Sequence, residues 1–177
     1  NPLLATGRLP EFSAIKPEHI EPALTETLAA NRQQLETLLG VIEDRTLDFS
    51  TAILPLEERG DRLSRVWGPV GHLHAVMNSP ELRNAYNACL PALSRYQTEM
   101  AQDTRLWKLY QKVDEALTDD TNPEMTGVVG HALQAFHLAG VDLPEDKKIR
   151  FKTALEELTE LGARFEQNVL DSMAAWS

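Results

Sequence analysis

Apolar side chains recur every three or four residues along most of this 177-residue chain. That interval matches the 3.6-residue turn of an α-helix, whereas a half-buried strand alternates with a period of two. Proline, glycine and capping residues interrupt the pattern at helix-length intervals. A few residues near Val41 are the one part that suggests a strand. The sequence therefore predicts an all-α fold, a bundle of long and partly kinked helices.

Start and stop signals place the first two helices. Pro22 is expected at the first position of the first helix, and Gly40 at its C-terminal end. The second helical run extends from Phe49 to Asn78. Pro55 and Pro69 lie inside it and are expected to kink or interrupt it, because each ring crowds the carbonyl four residues earlier. The apolar face of this run comprises Ile53, Leu56, Leu63, Trp67, Val70 and Met77.

Four further helices follow. Ser79 is expected to cap the third, and the fourth extends from Asp103 to Leu117. The fifth extends from Asn122 to Gly140, and the last begins at Pro144. No stop signal follows before the chain ends, so we expect this helix to end only with the polypeptide. Its apolar stripe comprises Phe151, Leu155, Leu158, Gly162, Phe165, Val169, Met173 and Trp176.

Composition excludes several classes of function. The chain has 27 acidic and 17 basic residues and a net charge of −10, the wrong sign for binding a nucleic-acid backbone. No apolar run approaches the roughly 18 residues of a membrane span. The single cysteine, Cys89, cannot form a disulfide within the chain. We therefore expect a cytoplasmic protein without a nucleic-acid or membrane partner.

The histidines do not form a recognisable metal motif. His131 and His137, six residues apart, point about 240° from each other on a helix, and His72 and His74 are nearly opposite. Neither the HExxH nor the ExxH pattern occurs at any histidine. His74 is expected in the core with a hydrogen-bonded ring, and His19 and the others at the surface or in helix packing. A metal site assembled from distant segments stays open at this stage.

No other pattern supplies a complete site. Cys89 lies on an apolar stripe, which favours a buried hydrophobe over a nucleophile. The G-x-S-x-G and G-x-G-x-x-G patterns are absent. A basic cluster could attract an acidic partner or a peptide carboxylate, but a solvated helix start offset by neighbouring acids is favoured. The cluster comprises Lys147, Lys148, Arg150 and Lys152. The sequence therefore predicts no catalytic, cofactor-binding or metal-binding residue in this chain.

Three stretches resemble one family of enzymes. The most specific is GVDLPEDKKIRFKTALEELTELGARFEQNVLD, residues 140–171. The others are LPEFSAIKPEHIEPAL, residues 9–24, and LPLEERGDRLSRVWGPVGHLHAVMNSPELRNAYNACLP, residues 54–91. They resemble the N-terminal half of the zinc metallopeptidases of the thimet oligopeptidase family.

The resemblance implies a role for a part of a larger enzyme. Members of that family are several times longer and almost wholly helical, with two lobes beside a channel and zinc bound by an HExxH pair and a later glutamate. Residues 1–177 would then be the N-terminal lobe, which forms a channel wall and limits access to short peptides, including signal-peptide remnants. Its partner would be the C-terminal catalytic half, which holds the zinc. No family zinc ligand maps onto this chain, so no hydrolysis is expected from it alone.

Two alternatives come from other classes of protein. One is a free-standing helical interaction module that has lost the catalytic half. The other is a metal-binding helical bundle. Independently of these, Phe165, Val169, Met173 and Trp176 would lack cover in the isolated chain, so we expect it to self-associate.

Overall fold

The computed structural model describes residues 1–6, 9–42, 48–77, 79–118 and 121–176. These ranges contain no strand, so the prediction of an all-α fold is confirmed. No helix within them is both long enough and apolar enough to cross a membrane. Their α-helices are α1 (Ile20–Ile42), α2 (Leu54–Met77), α3 (Pro80–Ala101), α4 (Thr104–Ala116), α5 (Pro123–Leu138) and α6 (Glu145–Ala174). Short 3-10 turns cover Pro2–Leu4, Phe12–Ala14 and Pro17–His19, and a π turn covers Phe49–Ile53.

The chain divides into two units. The first contains Asn1–Ala29, Asp61–Arg95 and Thr153–Ser177, and the second contains Ala30–Gly60 and Tyr96–Lys152. Helices α1, α2, α3 and α6 each contribute a segment to both units, whereas α4 and α5 belong to the second alone.

The core of the second unit is built around α4. Buried residues of this helix recur at the i, i+3, i+4 and i+7 spacing of one helical face, as the sequence predicted. Asp103 caps the helix, because its Oδ1 accepts the Arg105 N–H at 2.8 Å. The core comprises Leu35, Ala52, Ile53, Leu56, Leu106, Leu109, Tyr110, Val113, Val129, Phe136 and Val141.

A buried polar pair also joins α1 to α2 in the second unit. Asn31 Nδ2 donates to the Arg59 carbonyl at 3.1 Å, and Arg59 Nη1 donates to the Asn31 carbonyl at 3.4 Å. Because both side chains are buried, each bond replaces one that water would otherwise make. The pair therefore ties α1 to α2 at this level of the second unit.

The first helix departs from prediction at both ends. It begins at Ile20, so Pro22 is its third residue rather than its first. That position is tolerated because the first four N–H groups of a helix have no partner within it. Gly40 does not end α1, which continues to Ile42, and Val41 is therefore helical. A glycine typically ends a helix where its φ is positive, and Gly40 has no positive φ.

The second helical run also differs in detail. Leu54 N–H bonds to the Phe49 carbonyl, five residues back, which forms the π turn just before Pro55. Proline has no N–H to continue the α pattern there, so the predicted interruption is confirmed at Pro55. Helix α2 continues through Pro69 without interruption. Met77 is exposed rather than part of the buried face, and Asn78 lies outside the described residues.

Helix α5 ends as the glycine rule predicts. Gly140 has a φ of +78°, Val141 N–H bonds to the Phe136 carbonyl, and Gly140 N–H bonds to the His137 carbonyl. These two bonds form a Schellman motif, which requires a left-handed residue after the helix. Glycine adopts that conformation without the cost that a Cβ brings.

Replacing Gly140 by alanine is expected to destabilise the protein by about 1–2 kcal/mol. The new Cβ would lie 2.5 Å from Leu143 Cδ1, so Leu143 would have to move as well. Urea unfolding would measure the loss. The control is Gly127→Ala, within α5, where an added Cβ meets nothing within 4 Å and a gain of up to about 1 kcal/mol is expected. Equal effects of the two substitutions would contradict this account.

The first unit holds α6 against α3. Arg83 Nη2 and Asp171 Oδ1 are 2.7 Å apart, and the hydroxyls of Ser94 and Thr159 are 3.2 Å apart. The buried apolar residues of this unit comprise Leu3, Ile20, Ala23, Leu24, Leu28, Val66, Val70, Leu73, Leu82, Cys89 and Leu93.

Candidate functional site

A groove of 480 Å³ lies between α3 and α6 in the first unit. Its lining surface is mostly apolar, with carboxylates and guanidinium groups on both walls. These side chains can pair with charges and hydrogen-bond to a polar ligand, so the groove is a candidate binding surface. No sequence pattern indicated it, because its two walls are far apart in the chain: Ser94 and Thr159, one from each wall, are 65 residues apart. The lining residues are Asn87, Leu90, Pro91, Ser94, Arg95, Thr153, Glu156, Glu157, Thr159, Glu160, Ala163, Arg164 and Gln167.

His74 lies in an aromatic stack inside the first unit. Its ring is 4.1 Å from that of Tyr86, which in turn stacks on Trp67 at 5.0 Å. The side chain is buried, as predicted, with 6% of it exposed. The expected hydrogen bond is missing at Nε2, which has no hydrogen-bond partner. Burial lowers the pKa of His74, Glu166 opposes that change and Arg83 adds to it.

Acidification is expected to weaken the fold through His74. A histidine with a lowered folded pKa contributes its full stabilisation above the unfolded pKa of about 6.5 and loses it as the pH falls below that value. The urea midpoint should therefore decrease between about pH 8 and about pH 5, before most carboxylates titrate. His74→Gln should reduce that decrease, and the exposed His131→Gln should preserve it. An unchanged pH dependence in His74→Gln would rule out this origin.

The other histidines have local structural roles or are exposed. His19 Nδ1 accepts the Lys16 N–H at 3.1 Å, and the His72 ring lies 5.4 Å from that of Phe12. His137 Nδ1 lies 2.8 Å from Asp142 Oδ2. In the part of the chain that the structure describes, no three side chains of histidine, cysteine, aspartate or glutamate are placed to hold one metal ion.

Cys89 and the basic cluster have the environments that the sequence favoured, a buried position and a solvated helix start. Cys89 is buried, and burial raises the pKa of its thiol to about 11, so little of it is the nucleophilic thiolate at neutral pH. Lys147, Arg150 and Lys152 are exposed. Lys148 Nζ lies 3.2 Å from Glu145 Oε1 within the first turn of α6. The cluster is therefore a charged helix start that is largely solvated.

Helix α6 and the turn that follows it carry a line of exposed apolar side chains. We call it the apolar strip. Phe165 is 70% exposed and Trp176 is 96% exposed. Monomeric proteins rarely leave a continuous surface of this kind uncovered. The predicted lack of cover at Phe165, Val169, Met173 and Trp176 is therefore confirmed. The apolar strip comprises Leu158, Leu161, Phe165, Val169, Met173 and Trp176.

Sequence comparison identifies the family of this helical chain. The profile of the neurolysin/thimet oligopeptidase N-terminal domain matches residues 23–148, which include α2 to α5 and most of α1. This chain belongs to that family. The resemblance found in residues 9–24, 54–91 and 140–171 is thereby confirmed.

Curated relatives match the whole chain. Oligopeptidase A of Haemophilus influenzae is 40% identical over 177 residues, which are 99% of this chain and 26% of the relative. Oligopeptidase A of Salmonella typhimurium and of Escherichia coli are each 39% identical over 178 residues, with 100% of this chain and 26% of the relative covered. The chain thus spans about a quarter of the length of these relatives.

Proposed function

We propose that residues 1–177 are the N-terminal helical lobe of a cytoplasmic zinc metallopeptidase that hydrolyses short peptides, including signal-peptide remnants. In this role the lobe forms part of the wall of a substrate channel and limits access to unfolded peptides of small cross-section. The peptide bond is cleaved by the remaining part of the polypeptide. The observation that carries the proposal is the match of the entire chain to about a quarter of each oligopeptidase A.

The side chains of this segment support a role in binding rather than in chemistry. The groove between α3 and α6 offers Arg95 and Arg164 to a peptide carboxylate, and Glu156 and Glu160 to basic side chains. Zinc requires three or more correctly placed ligands, and no three histidine, cysteine, aspartate or glutamate side chains among the described residues are grouped to hold an ion. The residues that the structure describes therefore do not fit a zinc site, and no catalytic step is assigned to them.

A peptide-hydrolysis assay tests the proposal. The full-length product of this gene is expected to cleave a short fluorogenic peptide, to bind zinc and to lose activity with a chelator. The 177-residue chain is expected to show no hydrolysis with added zinc. Chelator-sensitive hydrolysis by the chain alone would overturn the proposal that the remaining part of the polypeptide cleaves the peptide bond. A full-length gene without HExxH would instead favour the free-standing interaction module.

A series of peptide substrates that differ in length and charge tests the channel-wall role. In the full-length enzyme, Arg95→Ala and Glu160→Ala are each expected to change KM more than kcat. The change in KM is expected to differ between peptides of different length or charge. The matched control is Lys112→Ala, an exposed residue of α4 outside the groove. No difference between groove and control variants would exclude the groove from substrate binding and leave the assignment of hydrolysis unaffected.

A further inference from the structure

The apolar strip is part of a longer seam without any charged residue. A helix turns 100° per residue, so a sector of about 120° selects eleven positions of α6 and its following turn from residue 151 to residue 176. Aspartate, glutamate, lysine and arginine are absent from all of them, although they are frequent on the rest of the helix. The positions are Phe151, Ala154, Leu155, Leu158, Leu161, Gly162, Phe165, Val169, Ser172, Met173 and Trp176.

The spacing along this seam is that of a helix that pairs with another helix. Residues 151, 155, 158, 162, 165, 169, 172 and 176 alternate steps of four and three, a seven-residue repeat with a mean period of 3.5. Such a repeat keeps one narrow stripe facing a partner along the full contact. From Leu158 to Trp176 the stripe is about 27 Å long, at 1.5 Å per residue.

The contacts that α6 makes within this chain lie on a different side of the helix from the seam. Thr159 and Asp171, which contact Ser94 and Arg83 of α3, lie about 100° or more from the centre of the seam. Phe151 and Leu155, at the start of the seam, are half-buried, whereas its larger apolar residues from Leu158 onward are exposed. The apolar periodicity of α6 therefore matches a surface that is not supplied by the described residues.

Gly162 lies in the middle of the seam. Glycine inside a helix costs about 1 kcal/mol relative to alanine, and a Cβ at this position would meet nothing within 4 Å in this chain. The first unit therefore gives no packing reason for a glycine here. A missing side chain at the centre of a helix seam permits the close approach of a second backbone or a large side chain.

We propose that this seam is the docking face for an α-helix from the part of the full-length polypeptide outside these 177 residues, with Gly162 at the point of closest approach. The inference rests on the proposed function, because it requires a longer parent protein. The relatives are about four times as long as this chain, so they supply ample polypeptide for the contact. A segment of the same chain has an effective concentration near the millimolar range, which favours it over a second copy.

Hydrogen exchange measured on both forms of the protein tests the docking. Amides of residues 158–176 are expected to exchange at least about tenfold more slowly in the full-length protein than in the 177-residue chain. Amides of α4, which is already packed in its own core, should exchange at similar rates in both forms. Sedimentation of both forms at the same concentrations identifies the partner. Protection in a full-length dimer, but not in a full-length monomer, would overturn the proposal in favour of a second copy.

Gly162→Ala provides a second test, because it is expected to stabilise the 177-residue chain and to weaken the docking in the full-length protein. In the 177-residue chain it should raise the Tm by about 2–4 °C, because alanine favours the helix and meets no neighbour. In the full-length protein it should reduce the protection of residues 158–176, because the added Cβ enters the contact. The matched control is Gly130→Ala on the exposed face of α5, which should not reduce that protection. Unchanged protection of residues 158–176 in full-length Gly162→Ala would overturn the role of Gly162.

These readouts do not depend on peptide hydrolysis. Protection of the seam in a full-length protein without peptidase activity would support the docking and refute the proposed function. Peptidase activity in a full-length protein whose seam stays unprotected would refute the docking alone.

Discussion

Replacing Ile53 by alanine is expected to lower the free energy of unfolding by about 2–5 kcal/mol. Ile53 is fully buried, with 0% exposed, in the core that α4 and α5 complete. The substitution removes apolar contacts and leaves a cavity that the surrounding helices can only partly close. It also lies at the end of the π turn, where Pro55 restricts rearrangement of the backbone. Urea unfolding followed by circular dichroism would measure the loss as a lower midpoint.

The adjacent residue provides the control. Leu54→Ala removes a side chain of the same composition, but Leu54 is 46% exposed. Alanine is also at least as favourable as leucine in a helix, so the expected loss is below about 1 kcal/mol. Similar losses of stability for the two substitutions would show that Ile53 is no more buried than Leu54.

Replacing Tyr86 by alanine is expected to destabilise the first unit by about 3 kcal/mol. Its ring lies between those of Trp67 and His74, so the substitution removes both stacking contacts at once. The cavity also admits water to His74, whose pKa should return toward its ordinary value. We therefore expect two linked results, a lower urea midpoint and a smaller decrease of that midpoint between about pH 8 and about pH 5.

Tyr86→Phe separates the ring from its hydroxyl. Phenylalanine keeps both stacking faces, so stability should change by less than about 1 kcal/mol and the pH dependence should persist. If Tyr86→Phe were as destabilising as Tyr86→Ala, the hydroxyl rather than the stack would be responsible. If Tyr86→Ala left the pH dependence intact, burial by Tyr86 would not be the cause of the lowered His74 pKa.

Local signals were sufficient for several features of the fold. Asp103 and Asn122 cap α4 and α5, Gly140 ends α5, and Cys89 is buried as its stripe predicts. Capping, left-handed glycine and helical periodicity depend on residues within about one or two turns of each other. A single sequence contains all of that information, which is why these predictions agree with the structure.

The site features were predicted less completely. Periodicity placed His74 in the core, but it could not show that Tyr86 covers its ring or that Nε2 lacks a partner. The groove between α3 and α6 was not predicted at all. Both features depend on which side chains from distant segments meet, and helical spacing within one segment does not determine that.

By itself, the sequence determined that the chain is helical, where most helices start and stop, and which side of each helix is apolar. Only the tertiary structure decided which of those apolar sides are covered, so that α4 became the centre of a core while the strip on α6 stayed exposed. The physical reason is that an apolar stripe has the same local pattern whether or not a neighbour covers it. Burial is a property of the neighbour, which lies elsewhere in the polypeptide.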